Sequence, residues 1–145
     1  MIEEFQQDLH ILNSLQVYRK YVLGGTSYAL NHDQHYKLRE EVCEKFSVDF
    51  SDVILVGSGK LGFSLKRDRR FGLFNDDSDI DLAVVSRTLF EKVWEDVFLF
   101  KKSKADWPKS RHFFQYLSEG WIRPDKLPSS EYFKFSKEWW NFLMT

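Results

Sequence analysis

Apolar residues recur at three- and four-residue spacing along 3–23, at Phe5, Leu9, Leu12 and Leu15, with Arg19 and Lys20 continuing the same face. That period predicts an amphipathic helix. Gly24-Gly25 is the expected stop, because glycine is favoured just past helix C-termini. Leu38, Val42 and Phe46 lie four apart and predict a second helix over about 32–46, with a loop over 47–51. The period then changes. Asp52-Val53-Ile54-Leu55-Val56 is a short β-branched run ending at Gly57-Ser58-Gly59, the pattern of a buried strand meeting a turn. A second such run, Leu82-Ala83-Val84-Val85, follows the acidic turn Asn75-Asp76-Asp77-Ser78-Asp79-Ile80-Asp81.

From Thr88 onward the spacing is helical again, with Leu89, Val93, Val97 and Phe100 on one side. Trp107-Pro108 opens a helix expected over about 109–118, and an aromatic-rich helix is expected over about 130–143. No repeat, linker or low-complexity tract interrupts the chain. The reading is one α+β domain over 1–145, with a helical part (1–50), a strand-bearing core (52–86) and a helical end (88–145).

Leu, Ile, Val and Phe supply 45 of the 145 residues, well above the roughly 20% below which chains stay disordered. A net charge of −1 excludes a globally basic nucleic-acid coat while leaving room for a local patch. One cysteine, Cys43, excludes an internal disulfide and a multi-cysteine zinc site. The start of the chain lacks the basic and apolar regions of a signal peptide, and no apolar run approaches the ~20 residues of a membrane span. A cytoplasmic protein with no membrane partner is expected.

Two features point to chemistry. A strand that delivers a glycine turn into a helix start exposes backbone N–H groups suited to phosphate. At the other run, Asp79 and Asp81 are two residues apart at a strand start, so their carboxylates face the same way. Paired acids repel, and Asp81 lies inside the apolar run, where an unpaired charge is costly; a divalent cation relieves both. The competing reading is an acidic, solvated turn. His10, His32, His35 and His112 lack any paired-ligand context, and Cys43 falls on a helix as an inert thiol.

The combination of Val56-Gly57-Ser58-Gly59-Lys60 with Ser78-Asp79-Ile80-Asp81-Leu82 resembles the DNA polymerase β-like nucleotidyltransferase superfamily, over about 52–86. The resemblance implies a small mixed sheet flanked by helices, with a nucleoside triphosphate (NTP) between the Gly-Ser turn and the aspartates. It implies that Gly57 admits the triphosphate, that Ser58 bonds its phosphates, and that Asp79 and Asp81 hold Mg²⁺ or Mn²⁺. Lys60 reads either as a phosphate-facing cation or as an ordinary solvated lysine. The implied activity moves a nucleoside monophosphate onto a hydroxyl of a protein, RNA or nucleotide, as in toxin–antitoxin or antiphage defence systems. A non-catalytic module that binds nucleotide or a partner protein is the alternative, and a nucleic-acid-binding adaptor using 66–70 is a third reading that the net charge of −1 disfavours.

The chain departs from the superfamily pattern twice. Twenty residues separate Ser58 from Asp79, against roughly a dozen in compact members. The excess contains Lys66-Arg67-Asp68-Arg69-Arg70-Phe71, readable as an acceptor- or phosphate-facing loop or as a solvated turn paired with Asp76 and Asp77. No later strand offers the third carboxylate that active members carry. Finally, Tyr132, Phe133, Phe135, Trp139, Trp140 and Phe142 crowd the last helix, and such aromatic surface predicts a protein partner or a second copy of the chain.

Overall fold

The computed structural model describes residues 1–103, 105–129, 131 and 133–143, and of Trp139, Trp140, Phe142 and Leu143 the backbone alone. It is an α+β chain whose contacts gather into two compact units, Met1–Val85 and Ser86–Thr145.

In the first unit, α1 spans Ile2–Ile11 and α2 spans Ser14–Val17. The single helix expected over 3–23 is broken at Leu12–Asn13. The reason is a capping box: the Asn13 side chain accepts from the Gln16 backbone N–H (3.0 Å) and Gln16 accepts from the Asn13 N–H (2.9 Å). This reciprocal pair restarts the helix. A π-helical turn, Tyr18–Leu23, follows, and the Gly24 N–H donates back to Arg19 (2.8 Å). The wider turn narrows the angle between successive side chains, so the neighbours Lys20 and Tyr21 both reach Asp8, each at 2.6 Å. Hydrogen bonds from Lys20 and then Tyr21 hold the Asp8 carboxyl below its ordinary range.

The next helix, α3 (His32–Phe46), starts on an identical device, with Asn31 and Gln34 exchanging bonds. It ends at Ser47 in the left-handed region (φ 53°). Strand β1 (Val53–Val56) leads directly into the one-turn helix α4 (Gly57–Leu61). Strand β2 (Asp81–Val84) pairs antiparallel with β1, Val53 opposite Val84 and Val56 opposite Asp81. The sheet is therefore antiparallel rather than mixed, and among the described residues it has two strands. Val53 and Leu55 point to the interior. A separate core joins Phe5, Leu61 and Phe63, with Tyr21 and Phe71 packed on it.

The second unit is helical: α5 (Arg87–Lys102), α6 (Ser110–Ser118) and α7 (Lys134–Leu143). The predicted stripe on α5 is the buried one, with Val93 and Val97 fully enclosed. Rings provide most of the remaining interior. Trp107 meets Phe100 and Phe113 edge-on at 5.8 and 5.9 Å, and its indole N–H donates to the Lys126 carbonyl (2.7 Å). Phe133 and Phe135 are buried. Tyr132 and the side chains of Trp139, Trp140 and Phe142, on which the expected partner surface also rests, lie outside the described residues. No described helix is long and apolar enough to cross a membrane.

Candidate functional site

The register of the sheet determines what meets what. Val56 opposite Asp81 puts the glycine turn of one strand beside the first residue of the other. Gly57 takes φ +68°, a conformation that costs L-residues about 1–2 kcal/mol. A Cβ there would stand 2.7 Å from Asp81 Oδ2. Glycine at 57 is thus required by its backbone, while the exposed Asp81 carboxylate lying on it would have to swing aside to admit a side chain. The Ser58 hydroxyl has no partner among the described residues, and its carbonyl accepts from the Gly62 N–H (2.8 Å).

Asp79 precedes β2 instead of belonging to it, so the alternation of a strand orients Asp81 alone. Ile80 between them turns toward the glycine helix, its Cδ1 3.0 Å from where a Gly59 side chain would begin. Both aspartates are exposed. The expectation that Asp81 is a charge enclosed by the apolar run is corrected on this point: its position at the first residue of an edge keeps it in water. The solvated Asp81 carboxylate on the glycine turn fits Mg²⁺, which usually takes one or two protein carboxylates and completes its shell with water and substrate phosphate; Asp79 lies two residues before it in the same exposed turn. Among the described residues no group of three or more His, Cys, Asp or Glu side chains is poised for a metal.

Lys60 is neither solvated nor turned to the surface. It is 6% exposed, and its ammonium donates to the Gly25 carbonyl (3.1 Å). Burial lowers its pKa, and no described carboxylate forms an ion pair with it. Gly25 belongs to a segment that the apolar periodicity leaves unassigned. The residues after it run alongside α4: Tyr28 N–H donates to Lys60 O (3.2 Å) and Ala29 N–H to Gly59 O (2.9 Å). These bonds seat the Tyr28 ring over Gly62 and 6.0 Å from the Phe74 ring. Nothing in the spacing of the sequence marks Tyr28 and Phe74 as neighbours.

A depression of about 270 Å³ lined by His32, His35, Tyr36, Arg39, Glu40 and Phe50 contains none of the predicted site residues. Burial first, then the charges of Arg39, Lys60 and His32, lowers the pKa of its His35. Burial likewise pushes the Cys43 thiol up, away from thiolate chemistry. Set against known proteins, the chain matches no family model, no curated protein and no solved structure.

Proposed function

We propose that the chain is a metal-dependent nucleotidyltransferase, moving a nucleoside monophosphate from an NTP to a hydroxyl acceptor. The observation that supports this reading best is the seating of Asp81 on Gly57, which joins the two halves of the sequence motif in one place. In the reaction the acceptor oxygen bonds to the α-phosphorus, the bond from that phosphorus to the β-bridging oxygen breaks, and pyrophosphate leaves. The hydroxyl proton passes to solvent. Asp79 and Asp81 would hold Mg²⁺ or Mn²⁺, which when bound neutralises phosphate charge and acidifies the attacking hydroxyl. The unpartnered Ser58 hydroxyl is available as a donor to phosphate oxygen. Lys60, bonded to Gly25, supports the turn from beneath.

The second reading, a module that binds nucleotide without turnover, is favoured by the donor set: two carboxylates, with no third acid grouped beside them among the described residues. One experiment separates the two. The protein is incubated with each NTP labelled on its α-phosphate and with Mg²⁺ or Mn²⁺, and melting and label transfer are followed together. Enzyme predicts a raised Tm and labelled product; the binding module predicts the Tm shift alone. A variant carrying Asp79→Asn and Asp81→Asn that keeps the full shift removes the metal assignment.

A further inference from the structure

The excess chain between Ser58 and Asp79 forms a hairpin. Phe63 and Leu73 bridge, Ser64 N–H donates to Gly72 O (2.8 Å), Phe71 N–H to Ser64 O (2.7 Å), and Phe74 N–H to Gly62 O (2.9 Å). Its tip is a short 3₁₀ turn, Arg67–Arg69, and Lys66, Arg67, Arg69 and Arg70 are all exposed there. Asp68 lies 3.8 Å from Arg69, the one ion pair made by these cations among the described residues. The turn bearing Asp76 and Asp77 does not neutralise them.

The tip is held firmly from below. Phe71 adopts φ +63°, a genuine outlier for a bulky residue. Its ring packs 5.8 Å from Phe63 on the Phe5–Leu61–Phe63 core. Core packing therefore holds the backbone from which the four cations project into solvent. At the base of the same hairpin, Phe74 meets Tyr28, a residue 54% exposed.

We infer that this hairpin, with Tyr28 at its base, binds single-stranded nucleic acid. Clustered cations and an exposed aromatic residue at the base of their hairpin are the two components of sequence-tolerant strand binding: charge tracks the phosphates and rings stack bases. An anionic lipid surface would attract the same cations; what favours a strand is the exposed Tyr28 at the hairpin's base, a stacking partner that a lipid headgroup does not require. The inference goes beyond nucleotidyl transfer and does not depend on it; if both hold, the strand is the source of the acceptor hydroxyl.

The test is fluorescence anisotropy of the full chain with labelled oligo-U RNA and oligo-dT DNA, without metal or NTP, across a salt series. Up to four phosphate contacts predict a slope of log K against log salt of about −2 to −3, at about −0.7 per contact on single strands. Arg67→Ala with Arg70→Ala should roughly halve that slope, and Arg67→Lys with Arg70→Lys should restore it. Tyr28→Ala should weaken binding about tenfold or more with the slope unchanged, as loss of one stacked base requires. A salt slope that differs little between wild type and the double alanine variant overturns the inference, as does binding to phosphatidylserine vesicles but not to either oligonucleotide. Preference for RNA over DNA or the reverse identifies the source of the strand, and binding of either supports the proposal. Because the Mg²⁺–NTP melting shift is measured without oligonucleotide, loss of strand binding with that shift intact counts against the hairpin alone.

Discussion

The two compact units are stabilised in different ways. In Met1–Val85 the distinguishing contacts, added to the ring core around Phe5 and Phe63, are at the level of the backbone: two Asn–Gln capping boxes, a glycine that a neighbouring carboxylate overlies, and a phenylalanine in the left-handed region. In Ser86–Thr145 they are ring against ring around Trp107 and Phe113. A structure resting on particular φ values and caps presents polar groups at fixed places; one resting on ring packing mainly excludes water. All the residues tied above to phosphate, metal or strand binding belong to the first unit.

The contrast can be broken most severely in the second unit. Phe113 is fully buried, so Phe113→Ala should cost about 4 kcal/mol, read as a fall in the urea midpoint. In the first unit Gly57→Val should cost about 2 kcal/mol, mostly strain, and should abolish any NTP-dependent melting shift. Repeating Gly57→Val in an Asp81→Ala background should recover a minor part of that cost, since the exposed carboxylate at 2.7 Å can swing aside while the strain at φ +68° remains. A loss of equal size in both backgrounds would show that the carboxylate does not press on the turn. Asn31→Ala should cost about 1 kcal/mol, the usual value of an N-cap, measured as loss of helicity and of midpoint together.

The smallest effect is one of pH. Burial lowers the Lys60 pKa from its ordinary 10.5, so the folded state releases this proton more readily than the unfolded chain. Stability contributed through Lys60 therefore rises with pH between the lowered value and 10.5, and below that window the penalty is fully present. Lys60→Met should remove this rise. Urea midpoints of the two proteins taken from about pH 8 to about pH 10 should converge if the buried ammonium is responsible.

The sequence alone was most informative where one period ran long or a strand ended in glycine. The helix over 32–46 and the buried stripe Leu89–Val93–Val97 follow directly from spacing, and both strands fall within one residue of their expected limits. The break at Asn13 was legible too, since Asn-Ser-Leu-Gln carries the same capping signature as Asn-His-Asp-Gln at 31–34, but continuous apolar spacing masked it. The burial of Lys60 was not legible. Its partner is a carbonyl 35 residues away in sequence, on a segment with no periodicity. The same holds for Asp81: alternation predicts its face, while its exposure depends on its being the first paired residue of a two-stranded sheet.

The π-helical turn at Tyr18–Leu23 accommodates one residue more than an α-helical course would. An inserted residue is also a removable one. Deleting a single position here leaves enough chain to reach Gly24 in ordinary α geometry, at the expense of the shared grip of Lys20 and Tyr21 on Asp8. Among diverging copies of this gene, length differences of one residue should therefore be tolerated in this turn. They should not be tolerated in β1 or β2, where a shift of one position would send Val53 and Leu55 to the opposite face.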